Sequence, residues 1–328
     1  MQGLPSAPTR PSRTVGQAFS LLLVPTGSTV AFGPAWAVLC GACAAASSLW
    51  QEARTVSDSP ILQALQTGWS GVIALVLALF AAEVLWSTWR ALIVGTDWAS
   101  LRPRCPPSLP ATDPALAVPY TTPWSPLGRL QRFWNQARRR PQQAASAETT
   151  SPLPTLAILT PLILILSALA GPALVLLSLA AMCLALIEWR VARRGTPQAA
   201  MQASVQIGLS WLAGHSAFRQ VTMPSFILAC CYAIAYQGTL SLDAEASHPE
   251  AQQRSWSLAL FFGGQAAALA LLVLLGHPFM AVLVGMLLAP QMLLLSRLGQ
   301  GGSNAWFLRR TLPFLMAAMP LAAWTAQA

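Results

Sequence analysis

Leu153 to Ile187 is a run of 35 residues without a charged side chain, followed at once by Glu188-Trp189-Arg190-Val191-Ala192-Arg193-Arg194. No soluble domain needs an apolar run of that length, and one straight helix would overshoot a hydrocarbon core about 30 Å thick. Ala170-Gly171-Pro172 falls near the middle. The run therefore predicts two membrane helices joined by a tight hairpin, with the basic cluster anchoring its far end to the cytoplasmic face. Lipid is the solvent of this chain.

Composition agrees. Charged residues make up 9% of the 328 and hydrophobic ones 55%, against about 25% charged in ordinary soluble domains. All 19 basic residues are arginine, giving a net charge of +9. They flank the apolar segments, as orientation signals and lipid-headgroup contacts do, so membrane lipids rather than nucleic acid are the expected partners. Cys40, Cys43, Cys183, Cys230 and Cys231 lie inside apolar segments and Cys105 in a loop, which is no disulfide framework. The Cys40/Cys43 pair has CxxC spacing but no second pair or nearby histidine, so it reads as buried thiols rather than a metal site.

Hydropathy and flanking charge predict an all-α polytopic transmembrane bundle in an inner membrane, with nine spans and a cytoplasmic N-terminus. Residues 1–28 form an interfacial segment, 29–95 the first two spans, 96–153 a cytoplasmic loop, and 154–328 spans three to nine. The first span runs from about Thr29 to Trp50 and the second from Gly68 to Gly95. After the hairpin come segments from Gln198 to Phe218, Val221 to Leu242, Trp256 to Gly276, Phe279 to Ser296 and Thr311 to Trp324. The fifth is unusually polar, with Gln198, Gln202, Ser204, Gln206, Ser210 and His215. It either lines the interior or lies along the membrane surface. The second alternative gives eight spans. Nine keeps Arg138–Arg140, Arg190–Arg194, Arg297, Arg309 and Arg310 on one side, as the positive-inside rule asks.

The long loop divides in two. Eight prolines between Pro103 and Pro126 predict an extended, polyproline-like stretch. Leu127, Leu130, Phe133, Trp134 and Ala137 then recur at helical spacing. The surrounding Arg129, Arg132, Arg138, Arg139 and Arg140 make this an interfacial amphipathic helix whose arginines and Trp134 meet headgroups. Each arginine beside an anionic surface contributes about 1 kcal/mol.

Ionisable groups inside apolar spans are costly unless paired, so each one is a functional candidate. Glu83 is the deepest. Arg90 lies seven residues on, which on an α-helix returns it to the same face, and Trp86 and Trp89 would shield the pair. Glu188, beside Trp189 and Arg190, reads as an interfacial residue. His215 and His277 both fall near outer helix ends, where two imidazoles at one depth can ligate a haem or chlorin or bind a quinone oxygen. The Gly299–Ser303 connector follows no strand and lacks a phosphate-loop lysine, so it is a linker.

Nine helices, an inside N-terminus and acidic residues after spans two and six resemble the layout of UbiA-type intramembrane prenyltransferases. The resemblance implies magnesium and a prenyl diphosphate held at those two places. Here the first reads Gly95-Thr96-Asp97-Trp98-Ala99-Ser100-Leu101-Arg102-Pro103, one aspartate where the family pattern NDxxDxxxD supplies three. The second reads Leu242-Asp243-Ala244-Glu245. Arg102 and Arg104 are the cations available to a diphosphate, and Asp97, Asp243 and Glu245 its metal ligands, fewer carboxylates than the pattern provides.

No nucleophile elbow, zinc signature or nucleotide fingerprint is present. The sequence predicts a non-enzymatic structural, assembly or accessory subunit of a membrane complex. Its expected partners are lipids and other membrane subunits, or a bound pigment or quinone. The alternatives are the prenyltransferase and a small-solute or proton-linked transporter using Glu83.

Overall fold

A computed structural model describes residues 33–55, 61–95, 153–192, 199–244, 251–299 and 302–325, and among them every regular element is helical. The helix α1 spans Pro34–Thr55. A second, composite helix joins α2 (Ile61–Phe80), a π-helical turn (Ala81–Trp86) and α3 (Ser87–Gly95). The hairpin α4 (Leu153–Ala170) and α5 (Pro172–Ala192) follows. A third unit joins α6 (Ala199–Ala203), a second π-helical turn (Ser204–Leu209) and α7 (Ser210–Ser216). Then come α8 (Met223–Ala244), α9 (Ala251–Leu274), α10 (Pro278–Gly299) and α11 (Asn304–Thr325).

Five helices among the described residues are long and apolar enough to cross a membrane: Trp69–Gly95, Pro172–Ala192, Met223–Ala244, Arg254–Leu274 and Pro278–Leu298. Pro34–Ser47 and Thr155–Ala170 are shorter apolar helices. The hairpin turns where the sequence placed it, on Gly171 at φ 138°, a conformation that favours a residue without Cβ. The last helix starts at Asn304, seven residues earlier than its hydropathy suggests, so Arg309 and Arg310 lie on it as exposed side chains.

The polar fifth segment is enclosed, not superficial. Ser210 to His215 are buried without a break, and α7 packs on α1 and α8. Paired glycines make this approach possible. A Cβ on Gly41 would sit on the carbonyl of Trp211, and one on Gly214 on the carbonyl of Val38. Small residues at such crossings let backbones touch, which is how helices associate where water supplies no driving force. Gly238 and Gly264 bring α8 and α9 together in the same way.

Polar contacts fix which helix ends share a side. Asn304 Nδ2 donates to the Leu242 carbonyl at 3.0 Å, and Arg254 Nη2 donates to the Leu298 carbonyl at 3.1 Å. Arg90 meets Glu188 and Gln202. The ends at Gly95, Ala192, Ala199, Ala244 and Asn304 thus gather together. Arg90, Arg190, Arg254, Arg297, Arg309 and Arg310 lie at or near this arginine end. Arg219 follows α7 at the other.

The helix α1 begins part-way through the bundle. Its first turn meets Glu83, which lies 14 residues from Trp69 and 12 from Gly95 along the second span. At 1.5 Å per residue these are about 21 and 18 Å, so α1 starts near mid-depth.

Candidate functional site

Glu83 sits in the first π-helical turn. Its Oε2 accepts a hydrogen bond from the backbone N–H of Ala35, 2.9 Å away, in the first turn of α1. A carboxylate there satisfies one of the donors that a helix start leaves open and lies at the positive end of the helix dipole. Gly33 and Pro34 beside it are buried. Glu83 Oε1 is buried and meets no hydrogen-bond partner among the described residues.

Arg90 does not pair with Glu83. Its Nε donates to Glu188 Oε2 at 2.7 Å, one Nη2 bond reaches Glu188 Oε1, and another reaches Gln202 Oε1 at 3.1 Å. The π-helical turn explains the departure from the α-helical expectation. Bonding i to i+5 inserts one extra residue, which turns everything beyond it by about 100°. Glu188 is the residue that sequence reasoning missed. It was expected at the interface because a tryptophan and an arginine flank it, yet its side chain is 0% exposed and fully engaged by Arg90. The available signal was spacing: Glu188 follows the buried Ser178, Ala181 and Ala185 on the inner face of α5.

Beyond Gln202 the polar groups continue. Gln202 Nε2 lies 3.5 Å from Gln206 Oε1, and Tyr236 Oη donates to that oxygen at 3.0 Å. The Tyr236 side chain is buried. Each π-helical turn ends at a serine that returns a bond to the loosened backbone. Ser87 Oγ donates to the Ala82 carbonyl at 3.3 Å, and Ser210 Oγ to the Val205 carbonyl at 3.0 Å. Gln206 belongs to the second of these turns, so each places a polar side chain in the shared interior.

Trp86 and Trp89 are buried against the hairpin. Trp86 Nε1 donates to Ser178 Oγ at 3.0 Å, and Trp89 Nε1 donates to Thr160 Oγ1 at 3.2 Å. Trp69 and Trp256 are exposed, as interfacial indoles are. His215 Nε2 lies 3.2 Å from the Gln220 carbonyl. His277 occupies the turn between α9 and α10, where Gly276 has φ 83°, whereas α7 packs on α1 and α8. Asp243 is half-buried on the last turn of α8. Asp97, Arg102, Arg104, Glu245 and the basic loop residues Arg129, Arg132, Trp134, Arg138, Arg139 and Arg140 lie outside the described residues.

A helical bundle with apolar outer faces, five helices of spanning length and polar side chains turned inward has the architecture of an integral membrane protein. In comparisons with known proteins, the chain matches no family model, no curated protein and no solved structure.

Proposed function

We propose that the chain crosses an inner membrane nine times, with its N-terminus and arginine end in the cytoplasm. In this reading it works as a small-solute or proton-linked carrier built around Glu83. The gathering of six arginines at one end supports the orientation. The enclosure of the fifth segment supports nine spans over eight. Reporter fusions near Phe133 are expected in the cytoplasm and fusions after Thr325 outside. The reverse pattern would overturn the topology.

One observation carries the carrier reading: a carboxyl on a π-helical turn meets the first turn of a helix that begins at mid-depth. Irregular backbone in a membrane interior needs partners other than lipid, and interrupted helices are where transport sites are built. The Arg90–Glu188 pair, with its carboxylate buried and its guanidinium partly so, adds ionisable groups that a purely structural bundle has little use for. Cells carrying the native chain or Glu83→Gln, matched for protein in the membrane, should differ in uptake of one solute class. Identical growth and uptake would remove this reading.

A non-enzymatic accessory or assembly subunit is the second reading. The outward face of α10, with Phe279, Val282, Met286 and Leu293 exposed, offers other membrane helices an apolar surface. A stoichiometric partner retained through gentle solubilisation supports it, and a chain that purifies alone counts against it.

A further inference from the structure

We infer that Glu83 is an exchangeable proton site that takes up and releases one proton on Oε1. The inference rests on the carrier reading and names what the site carries.

The geometry leaves one carboxyl oxygen without a partner among the described residues. Oε2 is held by the Ala35 N–H, while Oε1 is buried and unmatched among the described residues. A hard metal cation needs several oxygen ligands. No group of three or more His, Cys, Asp or Glu able to hold a metal ion forms among the described residues. An anion would compete with the carboxylate already seated at the α1 start. A proton needs a single oxygen, and a neutral carboxyl tolerates an unmatched atom in an apolar interior far better than an ion does.

The surrounding charges leave Glu83 free to change state. The elements packed on its turn are α1, α2, α3, α4 and α5. The first brings Cys40 and Cys43, with Glu52 and Arg54 in its last turn, 17 and 19 residues beyond Ala35; α3 brings Arg90, and α5 brings Cys183, Glu188 and Arg190; α2 and α4 bring no titratable side chain. Arg90 is the cation that would otherwise lock Glu83 as an ion, and Glu188 claims it with two hydrogen bonds. On α8, Tyr236 is buried and Asp243 half-buried in the last turn. From Tyr236 the hydrogen-bonding groups run through Gln206 and Gln202 to Arg90 at the arginine end.

Dicyclohexylcarbodiimide tests this, because it adds to protonated carboxyls in apolar surroundings. The purified full-length chain in detergent is treated across a range of pH, and the modified peptide is located by mass spectrometry. Labelling is expected at Glu83, falling at least tenfold from acid to alkaline pH, unaffected by sodium chloride and absent in Glu83→Gln. Glu83→Asp should keep the pH dependence. No labelling at any pH, labelling that ignores pH, or protection by sodium at fixed pH would each overturn the inference. Labelling as expected without any Glu83-dependent uptake would leave the proton site standing and remove the carrier reading. Glu83-dependent uptake without labelling would do the opposite.

Discussion

Arg90 and Glu188, 98 residues apart in sequence, close on each other through two hydrogen bonds, with Nε to Oε2 at 2.7 Å. The pair ties the composite second helix to the end of the hairpin and leaves Glu83, one π-helical turn away, without a cationic partner among the described residues.

Breaking that pair from one side should cost more than removing it. Glu188 is 0% exposed, and an uncompensated charge left in a buried pair typically costs about 3–5 kcal/mol. Arg90→Leu and Glu188→Leu are each expected to lower thermal stability in detergent sharply, and the double variant to recover most of the loss. A double variant no more stable than either single one would mean that the pair does not act as a unit.

The crossing of α1 and α7 depends on two missing Cβ atoms. Gly41→Leu and Gly214→Leu each force a side chain into the facing backbone. Size-exclusion chromatography should show aggregate or no folded peak for either, while Leu at Gly263, where a Cβ meets nothing, should leave the profile unchanged.

Gln265 and Gln291 exchange two amide hydrogen bonds, at 3.1 and 3.0 Å, between α9 and α10. Substituting leucine for one strands the other amide in an apolar setting, at a cost of about 1–2 kcal/mol. Replacing both should bring the melting temperature back near that of the native chain. Thermal unfolding of the three variants decides it.

Trp36 Nε1 donates to the Met316 carbonyl at 3.2 Å. Pro320 lies four residues beyond Met316 and has no N–H to offer it, so the indole replaces the missing helical bond. Trp36→Phe should cost about 1 kcal/mol, and less in a Pro320→Ala background, where the restored N–H takes over. Equal losses in both backgrounds would refute the exchange.

Much of the fold was legible because lipid restricts the choices. The uncharged run from Leu153 to Ile187 left only a helical hairpin, and Gly171 marked its turn, since a bilayer accepts no unpaired backbone. Glu83 was legible as a candidate for the same reason. The partners were not. Face arguments assume 3.6 residues per turn, and the π-helical turn between Glu83 and Arg90 breaks that assumption without a sequence signature. Glu188 was misplaced because Trp189 and Arg190 mark an interface equally well whether their neighbour faces lipid or protein. The enclosure of the fifth segment depends on Gly41 facing Gly214, a pairing across 173 residues that hydropathy along the chain does not contain.

Sequence alone determined the solvent, the helical class and the residues that lipid would not tolerate unpaired, because those follow from transfer energies of single side chains. Tertiary structure decided that Arg90 serves Glu188, that α1 starts at mid-depth against Glu83, and that one carboxyl oxygen is unmatched among the described residues. These are relations between distant helices, set by how closely their backbones approach and by where the helical register slips.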